Sequence, residues 1–176
     1  MGLLDLFMSE DRVVDRNIRK LNNRDSTPED REAAARWLAQ KATPRALGGL
    51  LQRFDLNLEH QLKDASEKEL VYSLLVGKGP LALEPTRAFA KSCRQFASPL
   101  RLYGELAGTD AQFALAADLL EAERQKDDFK PDKKRALLVW LADQRRPACV
   151  SVARPFLEDF DEGVRYAAAE VVIAQS

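Results

Sequence analysis

The segment Arg31-Glu32-Ala33-Ala34-Ala35-Arg36-Trp37-Leu38-Ala39 returns 103 residues later as Lys134-Arg135-Ala136-Leu137-Leu138-Val139-Trp140-Leu141-Ala142. Ala33, Trp37, Leu38 and Ala39 recur as Ala136, Trp140, Leu141 and Ala142, and the same offset carries Pro44 onto Pro147. A third copy, Arg165-Tyr166-Ala167-Ala168-Ala169-Glu170-Val171-Val172, lies 134 residues after the first and 31 after the second. Weaker copies fill the gap: Lys68-Glu69-Leu70-Val71-Tyr72-Ser73-Leu74-Leu75 at offset 37, and Arg101-Leu102-Tyr103-Gly104-Glu105-Leu106-Ala107 at offset 69. A period in the low to middle thirties is that of a two-helix unit. One helical hairpin cannot bury both of its faces, so neighbours must stack to close the core. The repeat therefore predicts an all-α fold, an α-solenoid of about five helical hairpins.

The turn chemistry agrees. Thr27-Pro28-Glu29-Asp30 places an N-cap, a proline at the first helical position and acids in the first turn. Thr43-Pro44, Gly79-Pro80, Ser98-Pro99, Lys130-Pro131 and Arg146-Pro147 mark further starts, and Asp161 caps the last helix. Helices are predicted near 10–22, 28–41, 44–54, 67–77, 80–95, 99–107, 109–125, 132–143, 147–158 and 162–174. Residues 10–176 form the repeat domain, irregular around 55–66, where an inserted loop or short extra helix is expected. Lys126-Asp127-Asp128-Phe129-Lys130 reads as a polar connector. Residues 1–9 are an apolar segment expected to pack on the first hairpin. The Ala triplets should let paired helices approach closely, with Trp37, Leu38, Trp140 and Leu141 filling the space between layers.

Asp161-Glu162-Gly163-Val164-Arg165-Tyr166-Ala167-Ala168 resembles the second helix of HEAT-like repeats, and Asp30-Arg31-Glu32-Ala33-Ala34 is a partial copy. The resemblance covers roughly residues 10–175 and extends to bacterial HEAT-repeat proteins of undefined function. It implies a non-enzymatic scaffold for protein–protein contacts. It also implies that the turn acid and helix base form a hydrogen-bonded ladder, giving Arg31, Lys68, Lys134 and Arg165 structural work. The N-terminal run Met1-Gly2-Leu3-Leu4-Asp5-Leu6-Phe7-Met8 lacks the basic start and the length of a signal peptide, so a cytoplasmic protein is expected.

Composition argues against several chemistries. The net charge is −1 and the single histidine is His60. A histidine-built metal site is not expected, and Glu59-His60 is one reversed copy of the His-Glu pairs that di-iron HEAT-like hydroxylases need in number. Cys93 and Cys149 lie in apolar helical patterns and read as core thiols. Asp127, Asp128 and Asp132 lack the spacing of a calcium loop. No catalytic residue and no cofactor is expected, and nothing singles out a bilin site.

A nucleic-acid-binding or alkylation-repair role is the alternative for a HEAT-like chain. The charge is blocked rather than one-sided: residues 12–53 carry ten basic and five acidic side chains, residues 133–154 six and one. Residues 108–132 carry three basic and seven acidic, residues 155–176 one and five. Alternating blocks suit a protein partner better than a phosphate backbone.

In HEAT-like arrays the second helices line the concave face. On the helix near 28–41, Ala34, Trp37 and Leu38 take the apolar side and leave Glu32, Arg36 and Gln40 outward. The repeat offsets carry Glu32 to Glu69, Arg101, Arg135 and Tyr166, and Arg36 to Ser73, Glu105, Val139 and Glu170. These ten residues are the candidate groove for a protein or peptide. The closing run Val171-Val172-Ile173-Ala174-Gln175-Ser176 lacks a polar capping helix. Self-association, or continuation of the array, is expected to cover it. No apolar run is long enough for a membrane span.

Overall fold

The computed structural model describes residues 3–124 and 131–175, with side chains from residue 10 onward. Among the described residues the chain is helical throughout, without strands. Ten α-helices follow in order: α1 (Leu3–Leu21), α2 (Pro28–Lys41), α3 (Pro44–Leu51), α4 (Gln61–Val76), α5 (Leu83–Ser92), α6 (Ala97–Ala107), α7 (Thr109–Arg124), α8 (Asp132–Ala142), α9 (Ala148–Ala153) and α10 (Glu162–Ala174). Short 3-10 turns follow α3 and α9 and precede α5. The chain divides into two compact units, Met1–Gln112 and Phe113–Ser176, and the boundary falls inside α7. The expected packing of residues 1–9 and the polar connector at 126–130 lie outside the described side chains.

Local sequence explains where the helices start. Asp30 N–H donates to Thr27 Oγ1 at 3.2 Å, Ala46 N–H to Thr43 Oγ1 at 3.2 Å, and Val164 N–H to Asp161 Oδ1 at 2.9 Å. Each satisfies one orphan donor of a helix end. Ser98-Pro99 behaves differently: α6 begins at Ala97, and Ser98 and Pro99 lie within its first turn. Gly108, at φ 92°, ends α6 in a backbone conformation that a side chain would strain.

In the first unit α1, α3 and α5 form one layer and α2, α4 and α6 the other. α3 touches both α1 and α5, α4 touches both α2 and α6, and each sequential pair packs as a hairpin. The core lies between the layers, with Leu38, Leu47, Leu50 and Leu75 fully buried. In the second unit α10 packs on α8 and α9, and Leu137, Leu138, Leu141, Phe156, Val164 and Val171 are buried. Two residues of each Ala triplet are buried, Ala34 with Ala35 and Ala167 with Ala168. Ala33 is exposed because three consecutive helical positions span too wide an arc for one face. Of the four residues expected between the layers, Leu38 and Leu141 are fully buried, while Trp37 and Trp140 are partly buried, Trp37 packing against the core.

The largest departure from the sequence map is α4. It begins at Gln61, six residues before the expected start, so half of the irregular stretch 55–66 is helix. The helical stripe of α4 runs Asp64, Glu67, Val71, Tyr72, Leu75, and its first two turns point carboxylates inward where apolar residues would announce a helix. α1 also extends beyond the mapped 10–22, starting at Leu3.

Candidate functional site

Those carboxylates meet buried arginines. Arg31 on α2 is 4% exposed and donates two hydrogen bonds to Glu67, both at 2.8 Å, with a further bond to the carbonyl of Ser26. Arg53, fully buried after α3, bonds Asp64 at 2.8 Å, Glu67 at 3.1 Å and the Leu56 carbonyl at 2.9 Å. Lys68 completes the cluster, 2.7 Å from Asp64. Burial pushes the Glu67 carboxyl up, but hydrogen bonds from Arg31 and Arg53 overcome this and hold it below its ordinary value. Asp64 is likewise raised by burial and lowered further by Lys68 and Arg53. In the second unit Lys134 lies 2.8 Å from Asp159, and Arg165 donates to the carbonyls of Asp159 and Phe160. Arg31, Lys68, Lys134 and Arg165 thus have structural partners. The sequence reading missed Arg53, whose position in Leu50-Leu51-Gln52-Arg53-Phe54 is an apolar run with one base.

The ten groove candidates divide between the units. In the first, Glu32 and Arg36 lie on α2, Glu69 and Ser73 on α4, and Arg101 and Glu105 on α6, all exposed. Their charges are largely satisfied among themselves. Arg36 pairs with Glu32 at 2.8 Å and Arg101 with Glu69 at 3.2 Å. Tyr72 Oη donates to Glu105 at 2.5 Å, and the Arg101 guanidinium lies 3.8 Å from the Tyr72 ring centroid. Burial, then the bond to Glu105, raises the Tyr72 phenol above its ordinary value. In the second unit Arg135 is half-buried beside Asp132 at 2.8 Å. Val139, Tyr166 and Glu170 come together with Ile173 and Asp143 around a shallow hollow of about 500 Å³.

A larger hollow, about 930 Å³, lies in the first unit on the opposite layer, between α1, α3 and α5. Ile18, Pro44, Gly48, Leu81, Ala88 and Phe89 line it, and Asp15, Arg45 and Glu84 lie at its edge. Arg45 grips Asp15 through two bonds, at 2.9 and 2.8 Å. The adjacent glycines of α3 do different work. A Cβ on Gly49 would come 2.3 Å from Ile18 Cγ1, so this glycine permits the close approach of α1. A Cβ on Gly48 would meet nothing within 4 Å, because this residue faces the hollow. Nothing in the run Ala46-Leu47-Gly48-Gly49-Leu50 separates the two.

The two thiols, Cys93 and Cys149, are buried and not bonded to each other. His60 is exposed at the start of α4. Among the described residues no group of three or more His, Cys, Asp or Glu side chains is placed to hold a metal ion. Asp127 and Asp128 lie outside those residues. No described helix is long and apolar enough to cross a membrane. The chain matches no family model, no curated protein and no solved structure.

Proposed function

We propose that this chain is a non-catalytic scaffold of HEAT-like helical hairpins that binds a protein partner. The observation that carries the reading is the apolar hollow between α1, α3 and α5, floored by Gly48 and walled by Ile18, Leu81 and Phe89. Leu81 is 61% exposed there. An apolar recess with a charged edge suits a protruding apolar side chain of a partner. The layered hairpins of the first unit and the paired helix bases Arg31 and Lys134 support a HEAT-like stacking scheme.

The nucleic-acid alternative has less support, because Arg36 and Arg101 on the candidate row are bound to carboxylates of the same row. Binding to duplex DNA should therefore be weak and free of the steep salt dependence of phosphate readers.

The test is affinity capture with quantitative mass spectrometry, comparing wild type with Gly48→Leu. The new side chain fills the hollow without meeting protein at its Cβ. Loss of one specific protein in Gly48→Leu supports the reading. An unchanged set of captured proteins removes the hollow from the argument. Recovery of nucleic acid alone, released by salt, overturns the scaffold assignment.

A further inference from the structure

In the second unit Val139 on α8 and Tyr166 and Ile173 on α10 are 52%, 68% and 72% exposed. They surround one hollow with two carboxylates, Asp143 and Glu170. Among the described residues neither carboxylate has a basic side chain within ion-pair distance. The internal repeat makes this exposure unusual. Ile173 aligns with Ala39 of α2, which is 2% exposed in a helix that touches α1, α3 and α4. A position that the repeat buries elsewhere is open on α10.

The first unit indicates what chemistry would cover it. Glu69 and Tyr72, one turn apart on α4, together hold Arg101, with its guanidinium over the ring and bonded to the carboxylate. Tyr166 and Glu170 are an exposed aromatic and carboxylate one turn apart on α10, in the reverse order along the helix and four residues apart rather than three. An aromatic face beside a carboxylate attracts a guanidinium through both its ring quadrupole and its charge. The chain itself carries such a ligand. Arg12, Arg16 and Arg19 are spaced along one face of α1, all exposed, and none has an ion-pair partner among the described residues.

We propose that α1 of a second copy lays its arginine face on the Tyr166–Glu170 face of α10, so that copies associate head to tail. A symmetric α10-on-α10 contact would set Glu170 and Asp143 against the same acids of the other copy, and like charge opposes it. A contact between two different patches either closes as a two-fold dimer, when each copy engages both of its patches, or continues as a chain or a ring. The acceptor face on α10 shares no lining residue with the hollow between α1, α3 and α5, whereas the donor face adjoins that hollow on α1, so the contact goes beyond the scaffold reading and is separated from it by the α10 variant.

Sedimentation velocity tests the contact. Wild type at up to about 200 μM, where micromolar contacts fill, should form dimers or larger species, and these should recede at about 0.5 M salt. Tyr166→Ala/Glu170→Ala removes the acceptor face, and Arg12→Glu/Arg16→Glu removes the donor face. Each alone should weaken association at least about tenfold, with helicity unchanged by circular dichroism. An equimolar mixture of the two should form a heterodimer that grows no further, because only one intact face of each kind remains. Wild type that stays monomeric throughout overturns the proposal. So do larger species that survive either variant, or variants that fail to pair when mixed. Tyr166→Ala/Glu170→Ala leaves the hollow between α1, α3 and α5 untouched, so partner capture by this variant distinguishes failure of the contact from failure of the scaffold reading.

Discussion

At the scale of single residues, two neighbouring glycines of α3 separate close packing from open surface. Gly49 lets α1 approach α3, and its Cβ would press on Ile18, a β-branched residue with little rotamer freedom. Gly49→Ala should cost about 1–3 kcal/mol in chemical denaturation, as overpacked cores do. Gly48→Ala should raise stability by about 0.5–1 kcal/mol, since it removes a mid-helix glycine without a clash. The reverse order of these two effects would invalidate the assignment of the open and closed sides of α3. Glu67 is the other decisive residue, because it holds two nearly dry guanidiniums at once. Glu67→Gln should destabilise by about 3–5 kcal/mol, the penalty for leaving buried charge uncompensated. The exposed Arg36–Glu32 pair should respond by about 0–1 kcal/mol to Glu32→Gln in the same assay.

At the scale of helices, most starts and stops were legible, and the largest departures are the starts of α1 and α4. Thr27, Thr43 and Asp161 can be read as caps because the capping bond is local, between residues three apart. Thr27→Ala should cost about 1 kcal/mol, read from the denaturation midpoint. The following Thr43-Pro44 places the end of α2 at Lys41, but nothing local gives the form of its cap. Ala42 closes it at φ 51°, a left-handed conformation usually given to glycine, with its N–H bonded to the Leu38 carbonyl. Ala42→Gly should therefore stabilise by about 1 kcal/mol, although it inserts a glycine. The start of α4 was hidden for a different reason. Its inward stripe opens with Asp64 and Glu67, and a periodicity search counts apolar residues. Only the positions of Arg31 and Arg53 make an acidic stripe an interior one.

For the molecule as a whole, the ionic clusters set the response to acid. Asp64 and Glu67 in the first unit and Asp159 in the second are held below their ordinary values of 3.8, 4.5 and 3.8. Their carboxyls bind protons more readily when the chain is unfolded, so stability falls as pH falls. The contribution is fully present above about pH 5 and declines as pH passes through the ordinary carboxyl range toward the lower folded values. Thermal unfolding between pH 7 and pH 3 should show this decline, and Glu67→Gln should flatten it in part. A flat profile for wild type would contradict the buried pairing. The sequence by itself determined the all-α class, most helix positions and the outward direction of Glu32, Arg36, Glu69, Ser73, Arg101, Glu105, Val139, Tyr166 and Glu170. Helical periodicity and caps are local, and a repeat copies them along the chain. Tertiary structure alone decided that Arg53 is dry, that Gly48 opens on a hollow while Gly49 is closed, and that Tyr72 draws Glu105 and Arg101 together. Each depends on residues from helices far apart in sequence, whose meeting is set by packing and leaves no trace in local spacing.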